Sequence, residues 1–207
     1  DEYKLVNPGA SIDDDCKHQI IHHLDSVTSG DYLVISGSLP PGIESRFYAE
    51  IITLCQKKGC EIILDISHPS LRQLLEFQPL LIKPNDDELK EIFNLDVNST
   101  QQVREAMLTL HQLGARNVLL TLGAKGLYFS NGTALWFCSA PKIELVSSAC
   151  AGDAALGAFL SKWLNDDDVT HALALASATG ADVASSAGRG KLNRTEELQQ
   201  QVQIVQL

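Results

Sequence analysis

The stretch Ser147-Ser148-Ala149-Cys150-Ala151-Gly152-Asp153 runs small residues up to a carboxylate and passes directly into the apolar segment Ala154-Ala155-Leu156-Gly157-Ala158-Phe159-Leu160. Small side chains let a backbone come close to a ligand. The first turn of a helix offers N–H groups with no intrahelical acceptor at the positive end of the dipole, which suits an anion. A carboxylate beside such a site repels phosphate and is out of place if the task is only to bind it. It is in place if it takes the proton of a hydroxyl that attacks a phosphoryl group. The same residues also read as an Asp capping a buried, Ala-rich helix, and alone they favour neither reading.

Four further polar or glycine-rich segments follow short apolar runs: Ser36-Gly37-Ser38-Leu39-Pro40-Pro41-Gly42, Asp65-Ile66-Ser67, Lys83-Pro84-Asn85-Asp86-Asp87-Glu88 and Thr121-Leu122-Gly123-Ala124-Lys125-Gly126. In parallel α/β sheets, ligands sit beyond the carboxyl ends of the strands, and a core does not need such chemistry there. Each segment has a local explanation too. Gly37 and Gly42 have the outer spacing of a P-loop, but Ile43 and Glu44 replace its Lys and Ser/Thr, which rejects that site. Asp65 can cap the next helix. Asn85 can do the same, with Glu88 at the offset that closes a capping box. Gly123 and Gly126 can be plain turn residues. No Gly-x-Gly-x-x-Gly supports a dinucleotide site.

The elements that must hold these segments alternate. Strands are expected at 32–36, 61–65, 80–83 and 117–121, and helices at 44–58, 69–76, 85–93 and 100–113. Such an alternation indicates a parallel sheet covered on both faces. Ser11 is expected to cap a helix from Asp13 to Thr28 with Cys16, Ile20, Leu24 and Val27 on its apolar face. His18, His22 and His23 on that helix read as a solvated face. The pattern then changes to a hairpin, 126–129 and 133–138, turning at Ser130-Asn131-Gly132. Three helices close the chain, at 151–164, 169–185 and 195–205, with Asp166-Asp167-Asp168 capping the second.

The totals exclude several classes. The 207 residues are 44% hydrophobic and 20% charged, enough for a sizeable core. Sixteen basic against 26 acidic residues give a net charge of −10, which disfavours nucleic acid and membrane surfaces as partners. The five cysteines are scattered and form no Cys-x-x-Cys pair, so neither a disulfide framework nor a zinc site is expected, and a reducing cytoplasm fits. No apolar run reaches membrane-spanning length.

Together, the segments resemble the ribokinase-like sugar kinases of the phosphofructokinase B family. Cys150-Ala151-Gly152-Asp153 is similar to the family's Gly-Ala-Gly-Asp signature. Ser36 to Gly42 resembles its sugar-phosphate branch, which includes phosphofructokinase-2, 1-phosphofructokinase and tagatose-6-phosphate kinase. Lys83-Pro84-Asn85 with Glu88 resembles its Asn-x-x-Glu motif, and Thr121 to Gly126 its nucleotide loop. The resemblance implies a three-layer α/β/α sandwich with a mostly parallel sheet, and ATP-dependent phosphorylation of a sugar-phosphate hydroxyl. It makes Asp153 the base and the backbone of Cys150, Ala151, Gly152 and Asp153 the anion hole. Lys83, Asn85, Thr121, Gly123, Lys125, Gly126, Ser148, Gly152 and Ser186 would face the nucleotide. Asn85 and Glu88 would organise Mg²⁺ through water. Ser38 and Asp153 would face the sugar phosphate. A homodimer is a further implication.

Two departures follow. Cys150 stands where the family has Gly, and if that position requires a positive φ it costs about 1–2 kcal/mol. The family's first strands, most of its lid and its Gly-Gly-rich sugar loop have no counterpart here. Residues 1–10 resemble the end of the lid strand and 11–207 the nucleotide-binding portion, so an exposed sheet edge is expected. The competing expectations are a non-catalytic nucleotide-binding or regulatory fragment, and a Rossmann-like interaction module.

Overall fold

The computed structural model describes residues 9–166, 168–188 and 190–207. The expected lid-strand remnant thus lies, apart from residues 9 and 10, outside the described residues. The chain forms two compact units, Asp1–Val118 and Leu119–Leu207.

In the first unit, β1 (Tyr32–Gly37) pairs in parallel with β2 (Glu61–Ile66), β2 with β3 (Leu81–Ile82), and β3 with the first residue of β4 (Val118–Thr121). The run Ile62-Ile63-Leu64 is essentially solvent-free, as in a strand covered on both faces. By contrast, Tyr32 and Val34 of β1 are 48% and 43% exposed, which marks it as an edge strand. Helix α2 (Ser45–Lys57) buries Phe47, Tyr48, Ile51, Ile52 and Cys55 and packs on β2. Helix α5 (Thr100–Leu113) buries Val103, Ala106, Met107 and Leu110, the stripe expected of a 3.6-residue period.

The expected helices at 13–28, 69–76 and 85–93 need correction here. Helix α1 (Asp14–His23) is capped by Asp13, whose carboxylate accepts the Cys16 N–H at 2.9 Å, and not by Ser11. It buries none of its own residues; of the expected apolar face Leu24 is buried, and it stands in the 3-10 turn, Leu24–Ser26, that follows the helix. Helix α3 (Leu71–Leu74) starts two residues after Pro69 and continues as a 3-10 turn to Phe77. After α3, α4 (Asp86–Glu88) makes one turn and widens into a π-helical turn, Leu89–Phe93, ended by left-handed Asn94.

In the second unit, β5 (Leu127–Ser130) and β6 (Leu135–Cys138) form an antiparallel hairpin, with Ser130 opposite Leu135. Four residues therefore make the turn, and the Asn131 side-chain oxygen accepts the N–H groups of Thr133 and Ala134. Helices α6 (Ala151–Asp166) and α7 (Val169–Ala184) pack together through small residues; a Cβ on Gly180 would stand 3.2 Å from the Ala151 carbonyl oxygen. Asp168 caps α7 by accepting from Thr170 and His171. The expected C-terminal helix is shorter. After α8 (Thr195–Gln199) the chain extends as β7 (Ile204–Gln206), antiparallel to β6 with Gln206 opposite Trp136. The reason is non-local: β6 supplies a partner that a window of sequence cannot show.

Candidate active site

The turn into α6 is held from both sides. Downstream, Phe159 stacks on Trp163 and meets Phe129 of β5, with centroids 5.3 and 5.2 Å apart, so two aromatic contacts fix α6 two turns beyond Asp153. Upstream, the N–H groups of Val146 and Ser147 both donate to the Ala184 carbonyl at the end of α7, at 2.9 and 3.1 Å. The Ser147 hydroxyl then accepts the Ala149 N–H at 3.3 Å. Ser148 is half-buried, and its carbonyl receives the Ala151 N–H at 3.3 Å, the long end of the hydrogen-bond range. The Cys150 carbonyl receives the Ala154 N–H at 2.9 Å and opens the helical ladder. Gly152 and Asp153 thus lie in the first turn, whose amides have no acceptor four residues back within the helix. Asp153 is exposed and its carboxylate has no hydrogen-bond or ion-pair partner among the described residues.

Cys150 has φ 62, the left-handed conformation that the Gly of the sequence pattern would adopt without strain. Its side chain is exposed, whereas Cys138 is buried and its thiol is pushed up to about 12 by desolvation. Cys150→Gly is therefore expected to raise stability by about 1 kcal/mol, read as a higher urea midpoint at unchanged m-value. An unchanged or lower midpoint would contradict the strain.

The loop after β4 is a tight turn. Leu122 N–H donates to the Gly126 carbonyl, Lys125 N–H to Leu122, and Gly126 N–H to Gly123, at 2.9, 3.1 and 3.1 Å. Gly126, at φ 101, has no alternative: a Cβ there would stand 2.2 Å from the Cys138 carbonyl oxygen. Gly126→Ala should thus destabilise the second unit by more than about 2 kcal/mol, since backbone must move and the residue is left in a disfavoured conformation; thermal unfolding checks this. Gly123 is different, because a Cβ there would meet no atom within 4 Å. Its φ of 54 is itself a left-handed conformation that favours glycine, so the backbone accounts for the residue and the space beside it stands open. Thr121 is half-buried and Lys125 exposed. Ser186 is half-buried at the end of α7, with its hydroxyl donating to the Asp182 carbonyl at 2.9 Å.

In the first unit, Ser38 is exposed just after β1. Lys83 and Asp65, at the ends of β3 and β2, form an ion pair of 3.0 Å with both side chains less than a tenth exposed. Lys83 is therefore committed to a buried carboxylate. Asn85 and Glu88 form the full capping box: Asn85 Oδ1 accepts the Glu88 N–H at 2.8 Å and Glu88 Oε2 accepts the Asn85 N–H at 3.0 Å. Glu88 Oε1 also accepts the Ser67 hydroxyl. With both oxygens engaged, the pair fits a magnesium ion through its water shell better than by direct ligation. No group of three metal-ligating side chains occurs among the described residues, and no helix of theirs is long and apolar enough to cross a membrane.

Sequence reading missed Asp182. It is 2% exposed, and its Oδ2 accepts the Arg194 N–H at 2.7 Å and the Thr195 hydroxyl at 3.0 Å. The available signal was a carboxylate inside the otherwise apolar, Ala-rich run from Ala172 to Ala184.

Known proteins are similar to this chain in sequence and fold. The model of the pfkB family carbohydrate kinases matches residues 3–196. A D-tagatose-1-phosphate kinase of Klebsiella oxytoca is 79% identical over all 207 residues, covering 68% of that protein. A D-tagatose-1-phosphate kinase of Bacillus licheniformis is 34% identical over the same span, again 68% of its length. Phosphofructokinase-2 of Escherichia coli, solved in complex with substrates and products, superposes with a TM-score of 0.88 at 28% identity over 96% of this chain and 66% of that one. The chain spans about two-thirds of the length of these relatives. Matched along nearly its whole length, it has the three-layer α/β fold with a mostly parallel sheet of the ribokinase-like kinases, and it belongs to the pfkB family of carbohydrate kinases.

Proposed function

We propose that the chain carries the nucleotide-binding and phosphoryl-transfer portion of an ATP-dependent sugar-phosphate kinase, acting on D-tagatose 1-phosphate or a closely related ketose phosphate. The observation that carries this reading is the turn into α6, where an exposed carboxylate, without a partner among the described residues, sits among first-turn amides. Asp153 accepts the proton of the attacking hydroxyl. The amides of Gly152 and Asp153, with that of Ala151, hold the charge that builds on the moving phosphoryl group. Gly123 leaves room for the nucleotide phosphates against the backbone, beside Thr121 and Lys125. Asn85 and Glu88 would hold magnesium through water, and the ion would supply neutralisation of phosphate charge. Ser38 lies on the sugar side. The substrate class is suggested by the name of the 79%-identical relative. A homodimer and a cytoplasmic location complete the proposal.

Coupled ADP release with Mg–ATP and D-tagatose 1-phosphate, fructose 1-phosphate or fructose 6-phosphate tests it. Turnover with at least one of them is expected, highest with the tagatose ester. Binding of Mg–ATP without transfer would instead support a nucleotide-binding portion that is not catalytic by itself, a reading favoured by the left-handed Cys150 in the anion hole. Failure to bind Mg–ATP would overturn both.

A further inference from the structure

The last turn of α7 holds two separate segments at once. On one side the Ala184 carbonyl receives the N–H groups of Val146 and Ser147, which lead into the Cys150–Asp153 turn. On the other side the Asp182 carboxylate receives the Arg194 N–H and the Thr195 hydroxyl, and the Asp182 carbonyl receives the hydroxyls of Ser185 and Ser186. Gly190 and Arg194 therefore lie back against the helix that ends at Ala184. Gly190 comes back so closely that a Cβ on it would stand 3.1 Å from Val183 Cα. Leu192, left-handed at φ 54, remains 52% exposed.

We infer that Asp182 is a positioning residue for nucleotide binding: its buried carboxylate fixes Arg194 and Thr195 against the same helix turn that anchors the approach to Asp153. This rests on the nucleotide-site reading above. A buried carboxylate is retained only where its acceptor capacity is used, and here both acceptor bonds serve Arg194 and Thr195. No salt bridge involving Asp182 occurs among the described residues, so the anchoring is by hydrogen bonds alone. Arg194 contributes its amide, and its guanidinium pairs with Glu197 at 3.5 Å.

Asp182→Ala removes both acceptors, Asp182→Asn keeps one oxygen that can accept them, and Thr195→Val removes the hydroxyl donor alone. Calorimetric titration of each folded variant with Mg–ATP should give a dissociation constant raised tenfold or more for Asp182→Ala, less for Thr195→Val, and near the unsubstituted value for Asp182→Asn. In parallel, hydrogen exchange at the Arg194 amide should accelerate in Asp182→Ala while Phe129 in β5 keeps its protection. Unchanged Mg–ATP affinity in Asp182→Ala, or an Arg194 amide as protected as before, overturns the inference. If Asp182→Ala does not fold, Thr195→Val decides by the same two readouts. If the unsubstituted chain binds no Mg–ATP, the nucleotide reading itself fails; hydrogen exchange then still shows whether the carboxylate holds Arg194, and the role assigned to it in nucleotide binding falls.

Discussion

Asp153→Asn should lower phosphoryl transfer to the sugar phosphate by about 10²–10⁴-fold, the range a positioned general base contributes, while Mg–ATP affinity stays the same or tightens. Asparagine keeps the size and polarity of the side chain but cannot accept the proton. Two features make this substitution informative. The carboxylate is exposed and has no partner among the described residues, so its loss disturbs no network, and stability should stay within about 0.5 kcal/mol. The substitution also removes a negative charge from beside the proposed phosphate site, so weakened nucleotide binding would not account for a lost rate. Coupled ADP release and a Mg–ATP titration on the same preparation separate the two quantities. A variant that retained its rate would show that the proton goes elsewhere.

Lys83→Met should destabilise the first unit by about 3–5 kcal/mol, because it takes the cation away from a buried carboxylate. The pair it breaks is 3.0 Å long with both side chains less than a tenth exposed. Against the 5–15 kcal/mol that domains usually command, this is a large fraction. The companion change Asp65→Asn in the same chain should recover part of the loss, since it removes the buried negative charge, and a double-mutant cycle in urea reads the coupling directly. A loss below about 1 kcal/mol for Lys83→Met would mean that the pair behaves like a surface contact. The site feels this pair as well. Pro84 and the Asn85–Glu88 box follow Lys83 directly, so the ion pair fixes where the capping box begins.

What could be read in advance depended on how local its cause was. The Asn85–Glu88 box was legible because its two partners are three residues apart and both bonds lie within one turn. The strain at Cys150 was legible because a Gly-rich pattern names the position where a side chain is out of place, and the backbone there is left-handed as that pattern implies. Helix α5 was legible from its period and from Gly114 at its end. By contrast, Ile204–Gln206 reads as the tail of a helix until β6 pairs with it. Asp182 reads as an exception on an apolar helix until the chain returns twelve residues later. The Ser11 cap failed for a smaller reason: Asp13, two residues on, offers the better placed acceptor. Lys83 carried a nucleotide role in the sequence pattern, and the fold adds the buried Asp65 as its partner.

The most direct measurement is the response of individual amides to nucleotide. In a ¹H–¹⁵N spectrum of the chain, Mg–ATP should shift the signals of Ala151, Gly152 and Asp153 in a saturable way, and that of Gly123 with the same dissociation constant. AMP, which lacks the transferable phosphate, should leave Ala151, Gly152 and Asp153 in place. Equal shifts with both nucleotides, or none at residues 151–153 with saturating Mg–ATP, would contradict the assignment of the α6 turn as the site of phosphoryl transfer.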